Sequence, residues 1–189
     1  MSRPLTFLSL CGSLRQGSFN RMIADTLPDL APDGVTIRPA PPIGAIPLYN
    51  ADVQTRDGFP QAVTDLAEAV RAADGVVIVS PEYNFSVPGV LKNAIDWVSR
   101  VPDQPFKDRP VALQSAATGM LGGARAQYHM RQIMVFLDAL VFTKPEVFVS
   151  FAGQKVDAAA GRLTDEDARK VISAQLAGFA RFVHRVGAA

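Results

Sequence analysis

The chain has 189 residues, 48% of them apolar and 20% charged, with a formal net charge of +1 and both signs interspersed. That size suits one domain with a substantial core, and the charge balance argues against a nucleic-acid partner or an acidic tail. A single cysteine, Cys11, leaves no internal disulfide; no apolar stretch is long enough to span a bilayer, and the N-terminal MSRPLTFLSLCGS lacks a signal-peptide cleavage region, so a reducing, cytoplasmic location with no membrane partner is expected.

Leu5–Cys11 (LTFLSLC) reads as a short buried strand, and 18–30 as a helix with Ser18 as N-cap. A weak strand at 35–38 leads into a proline-rich loop from 39 that is expected to last to Pro60. Val63, Leu66, Ala67 and Val70 recur at helical spacing and predict a helix over 60–73. The run GVVIVS, 75–80, is the strongest strand, apolar enough to be covered on both faces. Pro88 introduces a helix over 90–100. Pro110–Ala116 is a strand, 122–140 a long helix, 146–151 a strand, and 164–186 a final helix opened by TDED with Thr164 as its cap. Strands and helices alternate throughout, which argues for one parallel sheet with helices on both faces. Such sheets bind ligands beyond the carboxyl ends of their strands.

Three loops stand at those ends. The first, GSLRQGSFN (12–20), joins a strand to a helix N-terminus. Ser13, Ser18 and Asn20 can donate hydrogen bonds there, Arg15 brings a charged fork, and Gly12 and Gly17 permit tight turns. GxxxxGK[ST], GxGxxG and GxSxG are all absent, so the cradle suits a terminal phosphate rather than a nucleoside triphosphate with magnesium. The second loop, between Pro81 and Pro88, holds Glu82, Tyr83, Asn84 and Phe85, which suit a planar heterocycle with a polar rim. The third, SAATGMLGG (115–123), is small and glycine-rich, so backbone N–H groups can approach a ligand closely. Each loop alone also reads as an ordinary connection; their placement at one sheet edge favours a common site. Cys11 reads as a core thiol, Trp97 and Phe136 as core or subunit-contact residues, and His129 and His184 as surface or interface residues. No catalytic triad or metal-ligand cluster is present, and no catalytic residue is assigned.

GSLRQGSFN and PEYNFSVPGVLKNAIDW, with the GMLGG loop, the length and the order of elements, resemble the NADPH-dependent FMN reductase family, nearest its bacterial quinone/chromate reductase branch. The resemblance implies an α/β, flavodoxin-like three-layer sandwich: one domain, 1–189, with five parallel strands in the order 2-1-3-4-5. It implies FMN as cofactor and NADPH or NADH as co-substrate, with hydride passed to the flavin and two electrons then passed to a quinone or similar acceptor. Chromate, azo compounds and free flavin are further acceptors of the family. Carried over by position, Ser13, Arg15, Ser18 and Asn20 would hold the phosphate, with backbone from Leu14 through Gly17 to Phe19 closing round it. Pro81, Glu82, Tyr83, Asn84 and Phe85 would line the ribityl chain and ring, and Ser115, Ala116, Ala117, Thr118 and Gly119 would face the pyrimidine side. The family often has a small polar residue where Ala116 and Ala117 stand, so contacts there fall to the backbone. Homodimers or homotetramers are implied, with Arg125 and Tyr128, three apart on the long helix, as contact candidates. The alternatives are an FMN-binding electron carrier without substrate turnover, which near-neutral charge counts against, and a non-redox nucleotide-binding module.

Overall fold

In the computed structural model, which describes residues 3–187, β1 (Leu5–Cys11), β2 (Val35–Pro39), β3 (Gly75–Val79) and β4 (Pro110–Ala116) form a parallel sheet. The order is β2-β1-β3-β4, with the outer lane beside β4 shared by β5 (Leu140–Val141) and β6 (Val147–Val149). This is the expected 2-1-3-4-5 order. Residues 1–2 and 188–189, counted in the expected single domain, lie outside the described residues.

Alternation along the strands sends neighbouring side chains to opposite faces. Leu8, Leu10, Val76, Ile78, Val111 and Leu113 pack under α3 (Gln61–Ala72), α4 (Gly89–Val98) and α5 (Ala124–Phe136). Phe7, Cys11, Val77, Val79 and Ala112 pack under α1 (Phe19–Thr26) and α6 (Glu166–Val186). Trp97 and Phe179, fully buried on the two sides, each contribute about 1.5–3 kcal/mol of transfer free energy.

Several expectations need correction. The first helix ends at Thr26 and tightens into a 3-10 turn over Leu27–Leu30, because Pro28 lacks the N–H an α-helix would use. The stretch expected as loop before Pro60 contains α2 (Ala51–Asp57), opened by Asn50, whose side chain accepts the Asp52 N–H. The long helix is trimmed at both ends: Gly122 and Gly123 sit at φ +58° and +90° before it, and Asp138 at φ +54° after it. The expected strand 146–151 shrinks to β6, and Pro145, which cannot donate to a ladder, separates it from β5. A small hairpin of β7 (Val156–Asp157) and β8 (Arg162–Leu163) was not anticipated. The last helix is capped by Asp165 rather than Thr164; the Asp165 carboxylate accepts the Ala168 N–H at 2.9 Å. Phe136, expected in the core or at a subunit contact, is 75% exposed and so is not a core residue.

Candidate functional site

Strand order reverses between β1 and β3, since β2 flanks one and β4 the other. Above their carboxyl ends lies a cavity of about 400 Å³, within the roughly 300–1,000 Å³ typical of small-molecule sites. The first loop lines it with Ser13, Arg15, Ser18, Phe19 and Asn20, the second with Pro81, Glu82 and Tyr83, the third with Ala116, Ala117 and Thr118. A larger hollow of about 620 Å³ lies near Gly34, just before β2, and Ala177 on α6, and receives none of these loops.

In the first loop the serines keep their protons free for a ligand. Ser18 caps α1 by accepting the Arg21 N–H at 3.4 Å, and Ser13 Oγ accepts the Arg15 N–H at the same distance. Each hydroxyl hydrogen is left to donate elsewhere. Arg15 has no carboxylate partner among the described residues; its guanidinium lies over the Phe19 ring, 5.2 Å from the centroid, and donates to the Gln16 carbonyl at 3.4 Å. The opening N–H groups of α1 have no acceptor within the helix. A free guanidinium, two hydroxyls and a helix N-terminus together make a phosphate-type donor set. Gly12 lets the backbone pass close to β3's end and α4: a Cβ there would lie 2.8 Å from Leu91 Cδ2 and Ser80 Oγ and would push both side chains aside. Leu14 is turned outward instead; a side chain at Gly44 would meet it at 3.0 Å. Gly17, at φ +66°, supplies the turn and does not line the cavity.

Three residues expected to touch a ligand spend their side chains on the protein. Asn20 Nδ2 donates to the Ala116 carbonyl at 3.0 Å, and its Oδ1 accepts the Ala116 N–H at 2.9 Å. It borders the cavity, but its amide ties the first loop to the third. Ser115, fully buried, donates to the Gly122 carbonyl at 2.7 Å and accepts from Gln127 Nε2 at 2.8 Å. Glu82 accepts the Ala126 N–H on α5 at 3.1 Å. Asn84 and Phe85 form the tip of a tight turn, at φ +49° and +66°, closed by paired backbone bonds between Tyr83 and Ser86. Neither lines the cavity, and nor does Gly119.

Some contributors gave no local signal. Ala117 and Ala152 hold the third loop to the outer lane: Ala117 N–H donates to Val149, and Ala152 N–H to Ala117. Asn93 and Trp97, in the KNAIDW run, tether the proline-rich loop; the Asn93 amide and the Trp97 indole N–H both donate to the Pro47 carbonyl, at 2.9 and 2.8 Å. Arg125 stacks on Phe85 at 3.8 Å, and His129 Nδ1 lies 2.9 Å from Ser86 Oγ. Burial pushes the Cys11 thiol up, which suits an inert core group beneath the loop. No group of three or more metal-ligating side chains occurs among the described residues.

The family model for NADPH-dependent FMN reductase matches residues 5–154. A quinone reductase of Escherichia coli K12 is 53% identical over 186 residues, covering 98% of this chain and 99% of the relative. An NAD(P)H-dependent FMN reductase of Pseudomonas aeruginosa is 48% identical over 98% and 99% of the two chains. A 2-hydroxy-1,4-benzoquinone reductase of a Burkholderia species is 37% identical over 91% and 92%. Among solved structures, the Paracoccus denitrificans flavoenzyme FerB, an NAD(P)H:(acceptor) oxidoreductase, superposes with a TM-score of 0.84 at 29% identity, covering 96% of this chain and 98% of its own.

Proposed function

The chain belongs to the NADPH-dependent FMN reductase family, and we propose that it is an FMN-dependent NAD(P)H oxidoreductase whose acceptors are quinones. The residues present fit the cofactor. FMN has one terminal phosphate, and the first loop offers one guanidinium without a carboxylate partner and two hydroxyls with protons to give. FMN has a flat ring, and Pro81–Tyr83 and 116–118 line the same cavity. When bound, FMN supplies the redox chemistry: it takes hydride from NADPH or NADH and gives two electrons to the acceptor.

The chain's own part is to bind and to orient. Ser13, Arg15 and Ser18 would neutralise and fix the phosphate, with backbone from Leu14 to Phe19 around it. Pro81, Glu82 and Tyr83 would face the ribityl chain and ring, chiefly through main-chain groups, with Asn84 and Phe85 at the rim. The Ala116 and Ala117 N–H groups are given to Asn20 and Val149, so the donors to the ring's polar edge, where charge accumulates, would be the loop's remaining N–H groups, Thr118's among them. The alanines at 116 and 117 leave that edge to main-chain donors.

The carrying observation is the unpaired Arg15 beside the Ser13 and Ser18 hydroxyls at the head of α1. The test is an absorbance spectrum of the purified protein, turnover with NADPH or NADH against a quinone panel, and flavin titration of Arg15→Ala and Ser18→Ala. Each variant is expected to bind FMN at least about tenfold more weakly, since a hydrogen bond to a charged group is worth about 1.5–3 kcal/mol. Undiminished flavin retention in the double variant would overturn the assignment.

Chromate, azo compounds and free flavin belong to the same proposal as further acceptors, because a bound ring left open on one face selects acceptors weakly. We place the protein in the cytoplasm, a reading supported by its one buried, unpaired cysteine. No described helix is long and apolar enough to cross a membrane. A homodimer or homotetramer is the assembly we infer, from the exposed Tyr128, Val135 and Phe136 on the outer side of α5.

A further inference from the structure

α5 begins without a cap of its own. Gly123 precedes it at φ +90°, offers no side chain, and no acid stands in the first turn. The first N–H groups of a helix need acceptors from elsewhere. Ala126, the third helical residue, finds one in Glu82, 44 residues earlier in the sequence: Oε2 accepts its N–H at 3.1 Å. Oε1 lies 3.4 Å from Arg125, and the Glu82 side chain is only 12% exposed. A carboxylate from another loop thus does what an N-cap normally does, and it sits on the positive end of the helix dipole.

The position of this bond gives it a second effect. Glu82 belongs to the second loop, one residue before the turn closed by Tyr83 and Ser86. Arg125 and Ala126 come just after the third loop, where the Gly122 carbonyl accepts the Ser115 hydroxyl. Both loops line the cavity. The Glu82 carboxylate and the Arg125–Phe85 stack join the second loop to the start of α5, where the third loop ends.

We propose that Glu82 is a positioning residue: its carboxylate caps α5 from the second loop and thereby sets the spacing between the second and third loops that receive the flavin ring. The inference rests on the flavin site proposed above. Reach matters more than charge here. Glu82→Gln keeps an oxygen acceptor for the Ala126 N–H; Glu82→Asp keeps the charge but draws the oxygens back by one methylene; Glu82→Ala removes both.

The test is fluorescence titration of each apoprotein with FMN, together with hydrogen exchange at the Ala126 amide. Alanine and aspartate variants should bind FMN about tenfold or more weakly and lose protection at Ala126, whereas the glutamine variant should stay within about threefold of the parent. A glutamine variant as weak as alanine, or an alanine variant as tight as the parent, overturns the proposal. Should the alanine variant fail to fold, the contrast between glutamine and aspartate decides. A parent that binds no FMN would instead refute the flavin site itself.

Discussion

Asn20 illustrates how a residue of the expected type can serve a neighbouring strand. The last β3–β4 pair is Val79 with Gln114, and β4 runs on two residues further, to Ala116. Ala117 donates to Val149 on the outer lane, so the alternating groups of Ala116 face the side that β3 has left. The Asn20 amide supplies both missing partners. Asn20→Ala would orphan a buried N–H and C=O, each at about 1–3 kcal/mol. For a chain of this length the melting temperature of the FMN-free protein should fall by about 2–4 °C per kcal/mol. Asn20→Asp keeps the acceptor but sets a carboxylate against the Ala116 carbonyl, and it should melt below the parent too. Thermal unfolding followed by circular dichroism measures both; a melting temperature equal to the parent's would show the bond pair to be idle.

At the scale of elements, α5 and β6 are joined through Glu146. Its carboxylate accepts the Tyr128 hydroxyl and Lys144 ammonium, both at 3.1 Å, and faces Arg131 at 3.7 Å. Burial pushes this carboxyl up, but the bonds from Lys144 and Tyr128 and the charges of Lys144 and Arg131 outweigh it, leaving its pKa below the usual value. A depressed carboxylate stabilises the fold fully above the unfolded-state value, about 4.3, and loses that contribution as pH falls through the folded value. Urea unfolding from pH 7 to pH 3 should therefore show Glu146→Gln less stable than the parent at neutral pH, with the gap closing in acid. A gap independent of pH would contradict the linkage. Which elements could be read beforehand follows the same physics. β3 declares itself by an unbroken apolar run, β1 and β4 by short, mainly apolar runs, and α3 by its spacing. α2 buries no residue and rests on its Asn50 cap and Gly58, so it carries no periodic signal. β5 and β6 are two and three residues long, too short for a pattern. The three site loops were legible from their composition at strand ends. The duties of Asn20 and Glu82 were not, because their partners lie 96 and 44 residues away.

For the whole molecule, assembly turns on the outer side of α5. Tyr128, Val135 and Phe136 are 53%, 76% and 75% exposed, and spacings of seven and eight put them on one side of the helix. The opposite side, with Ala126, Met130 and Met134, is buried against the sheet. Met120, in the third loop just before α5, and Phe85, under Arg125, are also exposed, at 73% and 63%. Large apolar side chains exposed together on one side of a helix often mark an interaction surface. A second copy of the chain would cover it and bring its own surface close to the open side of the cavity. Val135→Glu combined with Phe136→Glu places two charges in that contact without touching the three loops. Sedimentation at micromolar concentration should find the parent as a dimer or tetramer and the double variant as a smaller species that still binds FMN. Retained FMN would show that the loops stay assembled, so the change in mass would report the contact alone. A parent that sediments as a monomer would remove the second copy, and acceptor selection would then have to arise within one chain, from Phe85, Arg125 and the third loop.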